Sequence, residues 1–172
     1  MTELQKREMF NDMVCRYSER LYWHIRSMVV SHDDADDVLQ NVYLKAWKSI
    51  SDFREDSGAF TWLWRIATNE SLNFLRARRV RAALSLESLS SALLKELYAG
   101  GIQDGDDAQS ALTAAIVSLP PKQKAVFCMR YYEDLPYEEI AEITGTSVGA
   151  LKASYHMAAE KVKESIKSRE LE

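Results

Sequence analysis

The sequence has few of the residues that interrupt helices, and few of those that build disulfide or metal frameworks. Six glycines and three prolines are spread over 172 residues, and the only two cysteines, Cys15 and Cys128, stand far apart. Neither cysteine belongs to a Cys-x-x-Cys pair, so we expect two small buried hydrophobic side chains and no disulfide or zinc site. Thiols of this kind are typical of a reducing cytoplasm.

Long apolar runs are absent as well. No stretch approaches the roughly 18 apolar residues that a membrane-spanning helix needs. The start of the chain, from Met1 to Arg7, is polar and charged and does not resemble a secretory signal. We therefore expect a cytoplasmic protein that does not insert into a membrane.

Positive charge is in deficit over the whole chain. Lysine and arginine together number 22 against 26 acidic residues, which leaves a net charge of -4. This balance argues against a protein that coats nucleic acid without specificity, because such binding depends on neutralising phosphates. The charge is nevertheless clustered, since five arginines stand between Arg65 and Arg81, shortly after four aspartates between Asp33 and Asp37. The pattern predicts an acidic face and a basic face close together.

Apolar residues recur three and four positions apart along nearly the whole chain, and strand-like alternation is almost missing. This periodicity predicts an all-α protein. In the first half we expect one helix over about Leu4 to Val30 and a third over about Ala59 to Arg79. Between them, a second helix begins after a break at Ser31 and carries apolar residues as far as Ile50.

The stretch from residue 81 to 108 differs in composition from its surroundings. It holds several serines and leucines, the pair Gly100-Gly101 and the acidic segment Asp104 to Asp107. We predict a flexible linker there, between a domain of residues 1–80 and a domain of residues 109–172. The linker leucines are compatible with a short docking helix. The second domain is expected to contain four helical segments, over about Ala108 to Ser118, Lys122 to Tyr132, Tyr137 to Ile143 and Val148 to Lys167.

The segment from Tyr137 to Lys152 has the pattern of a helix-turn-helix. A short helix with the small Ala141 on its packing face is followed by a turn at Gly145, and Ser147 is placed to cap a second helix. Such a unit sets the start of its second helix in the major groove of DNA. The residues expected to be exposed there are Ser147, Gly149, Lys152, Ala153, Tyr155 and His156. The alternative is a helical hairpin with a glycine turn, which is common in bundles.

Two segments of the first domain carry a resemblance to a known family. Residues Asp33 to Trp47 look like the polymerase-binding helix of sigma factors, and residues Phe53 to Arg76 resemble their promoter-melting loop and helix. With Leu119-Pro-Pro-Lys-Gln opening the C-terminal unit, the chain is identified as a member of the extracytoplasmic-function (ECF, group IV) sigma factors of the sigma-70 family. The resemblance covers about Phe10 to Arg79 and Ala111 to Lys167.

The resemblance implies a sigma region 2 helical bundle, joined by a flexible linker to a sigma region 4 helix-turn-helix. Such a protein directs core RNA polymerase to specific promoters and initiates transcription. It has no enzymatic activity of its own and needs no cofactor or metal. The implied partners are the polymerase core (its β′ clamp coiled coil and its β flap), promoter DNA and an anti-sigma factor that holds the protein inactive.

In the first domain the resemblance assigns polymerase binding to Asp36, Asp37, Gln40 and Asn41, which would face the β′ coiled coil. Short carboxylates and amides suit a partner helix that is rich in arginine. The family usually has glutamate where Asn41 stands. The alternative for the aspartate run is a solvated cluster that only caps the helix. A calcium-binding loop is excluded, because the central glycine and the final glutamate are missing.

The resemblance assigns promoter DNA to both domains. A base flipped from the melted minus-ten element would be captured by Phe53, Arg54, Ser57, Phe60, Arg65, Asn69 and Asn73, and the DNA backbone held by Arg76, Arg78 and Arg79. The minus-thirty-five element would be read by Ser147, Gly149, Lys152, Tyr155 and His156. The alternative for the aromatic residues Phe60, Trp62 and Trp64 is a structural role in the core.

Two other functions account for less of the sequence. A stand-alone helix-turn-helix regulator that binds duplex DNA without polymerase leaves the acidic helix and the melting loop unexplained. A helical enzyme with a carboxylate-bridged metal centre requires Glu-x-x-His pairs on facing helices. His24, His32 and His156 have no such partners in the sequence. The sequence therefore favours the initiation factor.

Overall fold

The structure is a computed structural model that describes residues 1–54, 58–84 and 107–170. Within these ranges the chain forms seven α-helices, one short 3-10 turn and no β-strand. The first half contains α1 (Glu3–Val29), α2 (His32–Ser49), the 3-10 turn (Ile50–Asp52) and α3 (Ala59–Leu84). The second half contains α4 (Asp107–Val117), α5 (Pro121–Tyr131), α6 (Tyr137–Thr144) and α7 (Val148–Glu170). The prediction of an all-α protein is confirmed.

Capping residues in the sequence mark where helices begin and end. At the start of α2, the Ser31 hydroxyl accepts a hydrogen bond of 3.1 Å from the backbone N–H of Asp34. At the start of α7, the Ser147 hydroxyl accepts one of 3.3 Å from the backbone N–H of Ala150. These bonds satisfy N–H groups that the first turn of a helix leaves without an intrahelical partner. Gly145 ends α6 with a φ of 69°, as the glycine predicts.

The first three helices pack around one apolar core. Its buried members come from all three helices and include Leu21, Ile25, Val38, Val42, Ala46, Leu63, Trp64 and Ala67. Burial of each leucine, isoleucine or valine among them stabilises the fold by about 1.5–3 kcal/mol. The helix α1 runs without a break, and α3 continues past Arg79 to Leu84. Both helices therefore also have surface that does not belong to this core.

The second half of the chain builds its core around α5. Six consecutive residues of that helix, Lys124 to Met129, are buried. The helix α7 packs against α4, α5 and α6, and its Leu151 and Ala158 are 1% exposed or less. The helix α5 is buried on more than one side, and α7 covers only one part of the surface of α5. The rest of that surface faces the first half of the molecule.

The two halves of the molecule pack against each other. The helix α3 contacts α5 and α6, and α1 contacts α5. Most of the predicted linker lies outside the described residues, as does the docking helix expected from its leucines. Residues 81–84, at the start of the predicted linker, still belong to α3. None of the described helices is both long enough and apolar enough to cross a membrane.

Candidate nucleic-acid interface

One polar face of α2 carries the four side chains predicted to bind polymerase. Asp37, Gln40 and Asn41 are exposed. Asp36 is half-exposed beside His32, with 3.4 Å between its Oδ2 and the histidine Nε2. Because these positions lie one, three, four or five residues apart on a helix, they share one side of it. The structure therefore brings the four residues together as one surface of carboxylates and amides.

Asp34 and Arg78 connect α2 to α3 and do not belong to that surface. Arg78 donates from Nη1 to Asp34 Oδ2 and to the carbonyl of Val29, both at 3.4 Å. Its side chain is only 14% exposed. Most of the Arg78 side chain is therefore engaged in contacts between helices, and its predicted contact with the DNA backbone stays a prediction. Arg76 and Arg79, predicted for the same role, are exposed.

Trp64 is a core residue. It is 0% exposed, and Phe60 stacks on it with 4.0 Å between the ring centroids. Tyr17 meets both rings edge-on, and the guanidinium of Arg20 lies 4.9 Å from the centre of the Phe60 ring. The structural alternative is thus confirmed for Trp64. Phe60 is held in the same cluster, with a cation over its ring.

The loop before α3 begins at Phe53, whose ring packs on Trp62 with 5.0 Å between centroids. Both rings are half-buried, whereas Arg54 is exposed. Ser57, predicted to contact the same captured base, lies outside the described residues. Gly58 follows with a φ of 71°, a left-handed conformation that glycine adopts without strain. The chain therefore turns sharply just before α3 begins.

An open groove of about 530 Å³ lies between α2 and α3, with polar side chains on both walls. Asn69 and Asn73, which are predicted to bind a flipped base, line it from α3. Lys45 and Lys48 line it from α2, and Lys45 forms an ion pair with Glu70 in the same wall as the asparagines. Amides that can bond to base edges thus face cations that can bind phosphate. This combination suits an unstacked nucleotide.

Lys45 and Lys48 are absent from the set of DNA-binding residues predicted from sequence. Their only sequence signal is a place on the polar face of α2, which is shared by many solvated lysines. What distinguishes them is the packing of α2 against α3, which sets them opposite Asn69 and Asn73. That packing depends on residues distant in sequence, so periodicity alone does not reveal it.

The helices α6 and α7 form the predicted helix-turn-helix. The backbone N–H of Gly145 donates a hydrogen bond of 2.8 Å to the carbonyl of Ala141, which closes the last turn of α6. Ile140 and Ile143 of α6 and Leu151 of α7 are each 2% exposed or less. These three side chains join the two helices at the angle the turn allows. This packing holds α6 and α7 in a fixed orientation on either side of the turn.

The start of α7 presents its polar side chains to solvent. Ser147, Gly149, Lys152 and His156 are all exposed. The space around Gly149 is open: apart from its chain neighbours and the backbone of its own helix, no heavy atom lies within 4 Å of the point where a Cβ would stand. A backbone without a side chain at this point allows close approach to another surface. Gly149, Lys152 and His156 lie within about 60° of one another around the helix axis, and Ser147 stands at the end of the helix as its cap.

Tyr155, also predicted to reach DNA, has a packing role as well. It is half-buried, and its ring stacks on Phe127 with 5.6 Å between centroids. Tyr137 meets it edge-on, and the ammonium of Lys152 lies 5.8 Å from the centre of the Tyr137 ring. Lys152 and Tyr155 are therefore coupled through Tyr137. The aromatic cluster fixes their positions relative to the turn.

A buried polar cluster joins the two halves of the molecule. Glu133, in the turn after α5, accepts a hydrogen bond of 2.7 Å on Oε2 from the indole N–H of Trp64. Its Oε1 is hydrogen-bonded to Nδ1 of His24 on α1. The other ring nitrogen of His24 lies 2.9 Å from the hydroxyl of Thr68. Since His24, Trp64 and Thr68 are each 2% exposed or less, the carboxylate enters the interior of the first domain.

Cys128 lies at the same contact. Its thiol donates to the carbonyl of Ser27 at 3.5 Å, and burial raises the pKa of the thiol to about 12. A thiol held neutral in this way reacts slowly. Burial also raises the pKa of Tyr132 to about 12. The expectation of a buried cysteine is confirmed for Cys128 but is wrong for Cys15, which is exposed on α1.

No metal centre is formed by the part of the chain that the structure describes, where no group of three or more His, Cys, Asp or Glu side chains could hold an ion. The polar groups gathered here are carboxylates, amides, guanidinium groups, ammonium groups, hydroxyls and imidazoles. Such groups bind bases, phosphates and carboxylates by hydrogen bonds and charge. The arrangement is that of a binding protein.

Two family models match the chain. The model described as "Sigma-70 region 2" matches residues 13–81, and the model described as "Sigma-70, region 4" matches residues 109–162. The first match contains α2, α3 and the groove between them, and the second contains the helix-turn-helix.

Individual relatives match over nearly the whole chain. Over 161 residues the chain is 31% identical to the ECF RNA polymerase sigma-E factor of Escherichia coli (strain K12), which covers 89% of this chain and 84% of that protein. Over 168 residues it is 32% identical to the ECF RNA polymerase sigma-E factor of Haemophilus influenzae, with 91% and 87% covered.

Solved structures share the fold. CnrH in complex with the cytosolic domain of CnrY is similar with a TM-score of 0.67 at 22% identity, over 94% of this chain and 90% of that one. The sigma factor RpoE in complex with the anti-sigma factor NepR, from Bartonella quintana, is similar with a TM-score of 0.67 at 22% identity, over 93% and 98%.

Proposed function

The chain belongs to the extracytoplasmic-function sigma factors of the sigma-70 family, and from that membership we propose which of its surfaces meet polymerase and which meet each promoter element. It directs core RNA polymerase to specific promoters and initiates transcription, and it is not an enzyme. The proposed division is a first domain of residues 1–80, a linker of residues 81–108 and a second domain of residues 109–172. The proposed location is the cytoplasm.

The groove between α2 and α3 is the observation that carries the proposal for the first domain. Asn69 and Asn73 line one wall, and Lys45 and Lys48 line the other. We assign this groove to a base of the minus-ten element that has left the stack. Phe53, Arg54, Phe60 and Arg65 are not among the residues that line the groove, and their contacts with the same strand, like that of Ser57, stay predictions. Arg76 and Arg79, further along α3 and exposed, would hold the DNA backbone.

Polymerase binding is proposed for the earlier half of the same helix. Asp36, Asp37, Gln40 and Asn41 share one polar face of α2, and the groove lysines follow closely. From Asp37 to Lys48 the helix advances about 16 Å, at about 1.5 Å per residue. A rigid helix would therefore set the groove at a fixed distance from the β′ coiled coil. Contact with polymerase would thus position the base-binding site.

The helix-turn-helix is proposed to read the minus-thirty-five element. Ser147, Gly149, Lys152 and His156 are exposed at the start of α7, and Tyr155 adds a half-buried ring. Of these only Lys152 has a permanent positive charge, so electrostatic attraction to DNA is small. The second domain should therefore bind its element firmly only while polymerase, through the β flap, holds it in place.

Promoter-specific run-off transcription with purified core polymerase tests this assignment. On a promoter selected from a genomic library, Asn69→Ala and Asn73→Ala should each reduce the initial rate about tenfold, because a base contact of this kind contributes about 1–3 kcal/mol. Asn11→Ala is the matched control, since Asn11 is an exposed asparagine of α1 outside the groove. Its rate should match the unchanged protein.

Different outcomes separate the parts of the proposal. Full activity of both groove variants would contradict the assignment of the groove, whereas absence of initiation by the unchanged protein on every promoter would contradict the initiation role itself. Tight specific binding of duplex promoter DNA without polymerase, at physiological salt, would favour a stand-alone regulator instead.

An anti-sigma factor is the remaining proposed partner. The structural relative RpoE is in complex with the anti-sigma factor NepR, and CnrH is in complex with CnrY. A protein partner that covers the polar face of α2 or the start of α7 would block polymerase or DNA directly. A pull-down under non-inducing conditions should retrieve such a partner, and retrieval of polymerase subunits alone would contradict this proposal.

A further inference from the structure

The first domain contains a buried polar site that is completed by the second. Trp64 and His24 belong to its core, and the carboxylate of Glu133 bonds to the indole N–H of one and to Nδ1 of the other. Thr68 bonds to the opposite nitrogen of His24, so the histidine is oriented from both sides. Three of the four groups belong to the first domain, where α1 packs on α3, and only Glu133 comes from the second domain.

The contact has the features of a strong interaction. The Glu133 side chain is 13% exposed and the His24 side chain is 0% exposed. Hydrogen bonds to a carboxylate are about twice as strong as those between neutral groups, and they are stronger still where water is excluded. The same exclusion makes separation costly until water reaches the freed groups. A buried carboxylate between two domains therefore opposes their separation.

We propose that Glu133 is an interdomain latch, whose carboxylate, seated between His24 and Trp64, holds the free protein in a closed form that must open before both promoter elements can be bound. Thr68 orients His24 within the latch. The adjoining contact from Arg65 to the carbonyl of Glu142 gives way when the latch opens.

Distances along DNA make opening obligatory. The minus-ten and minus-thirty-five elements are centred about 25 base pairs apart. At a rise of about 3.4 Å per pair, this separation is about 85 Å. A compact chain of this length has a radius of gyration of about 16 Å, hence a diameter of about 40 Å. Domains in contact cannot reach both elements. The residues between Leu84 and Asp107 can span about 75 Å at most, which is enough reach for the separated domains.

The thiol of Cys128 reports whether the latch is closed. It is 0% exposed and faces Ser27 of the first domain, whereas Cys15 is exposed in the same chain. Alkylation with iodoacetamide, followed by peptide mass spectrometry, gives both rates in one sample. Cys15 is the internal control for reagent and pH. In the unchanged free protein Cys128 should react much more slowly than Cys15.

Glu133→Gln should raise the Cys128 alkylation rate about tenfold, because the amide has one acceptor oxygen where the carboxylate uses two, and has no charge. Glu138→Gln is the matched control, since it removes the same charge from an exposed position of α6. It should leave the rate within about twofold. His24→Leu should also raise the Cys128 alkylation rate. Adding it to Glu133→Gln should raise the rate little further, because both changes remove the same bond between His24 and Glu133.

An unchanged Cys128 rate in Glu133→Gln would overturn the latch. A faster rate accompanied by loss of helical circular dichroism would overturn it too, because Glu133 would then maintain the fold of its own domain. These outcomes do not depend on the proposed function, since only the free protein is measured.

The consequence for transcription does rest on the proposed function. A closed form lowers the apparent affinity for polymerase and promoter by the fraction of molecules that are open. At limiting concentration Glu133→Gln should therefore initiate several-fold faster than the unchanged protein, and Glu138→Gln should not. Equal rates would overturn the regulatory half of the proposal. A raised thiol rate without initiation on any promoter would instead count against the proposed function and leave the latch in place.

Discussion

Arg65 of α3 donates a hydrogen bond of 2.8 Å from Nη2 to the main-chain carbonyl of Glu142 in α6. A side chain predicted to contact minus-ten DNA is thus held by the helix-turn-helix of the other domain. The guanidinium is exposed, and its partner is a neutral carbonyl. A phosphate could replace that carbonyl at little cost, because a hydrogen bond between two ions is shorter and stronger than one to a neutral carbonyl. A base edge would replace one neutral acceptor with another.

Replacement of Arg65 should therefore affect activity and leave stability nearly unchanged. Arg65→Gln should alter the free energy of unfolding by less than about 0.5 kcal/mol, as is usual at exposed positions. Promoter-specific transcription should fall about tenfold, because a bond from a charged donor contributes about 1.5–3 kcal/mol. Arg16→Gln is the control, since Arg16 forms an exposed ion pair with Asp12 on α1. Equal activity of the two variants would contradict the assignment of Arg65.

Arg78 and Arg79 should behave in opposite ways although they are neighbours. Arg78→Gln should lower the free energy of unfolding by about 1–3 kcal/mol, because it removes bonds to Asp34 and to the carbonyl of Val29 from a largely buried side chain. Arg79→Gln should leave stability unchanged and weaken promoter binding, most clearly at low salt. Urea titration and promoter-complex formation with polymerase measure the two effects. The prediction fails if both variants lose stability equally.

The two glycines of the helix-turn-helix should also differ. Gly145 has a φ of 69°, so Gly145→Ala should destabilise the second domain by about 1–2 kcal/mol even though space for a Cβ is available. Gly149 lies in α7 with ordinary helical geometry and open space, so Gly149→Ala should stabilise by about 0.5–1 kcal/mol. Thermal melting distinguishes them. Lower promoter activity in the more stable Gly149→Ala would support close approach of DNA at this point.

The buried thiol of Cys128 should make stability depend on pH in the alkaline range. Its pKa is raised from 9.0 to about 12 in the folded protein. Below pH 9 the thiol is protonated in both states and the stability is intact. As pH rises from about 9 to 12, the unfolded thiol ionises while the folded thiol stays neutral, so the free energy of unfolding falls by up to about 1.4 kcal/mol per pH unit.

Cys128→Ala isolates this contribution. The variant should be less stable at pH 8 because of the cavity it leaves, yet its stability should decline less steeply above pH 9. Tyrosines, lysines and Cys15 titrate in both proteins, so the difference between the two slopes reports Cys128 together with its charge interaction with Tyr132. Parallel declines between pH 9 and 11 would contradict the prediction.

Local signals predict the order and the ends of the helices. Ser31, Gly145 and Ser147 act within one turn of their own positions, so their residue types are sufficient. The placement of Trp64 is different, because helical spacing gives an aromatic side chain either to the core or to a base. The bond between Glu133 and His24 joins residues 109 positions apart, and no local pattern records it.

In the candidate site too, some residues can be predicted from local sequence and others only from the packing of helices. Asn69 and Asn73 can be assigned by their place in a family motif, since motif and helix coincide. Lys45 and Lys48 become part of the groove only when α2 packs on α3. Arg78, close to the predicted arginines, turns inward because Asp34 and the end of α1 lie beside it. Contacts between helices therefore decide which polar residues are available to a ligand.

The ion pair between Lys45 and Glu70 has a consequence for the thermodynamics of DNA binding in the groove. A phosphate that binds Lys45 exchanges one anion for another, because the lysine already holds a carboxylate. Fewer counterions are then released than the roughly 0.7 expected for each single-stranded phosphate contact. The affinity of the groove for the melted strand should therefore vary less with ionic strength than its two lysines suggest. Capture of the strand would persist across salt concentrations that weaken ordinary electrostatic binding.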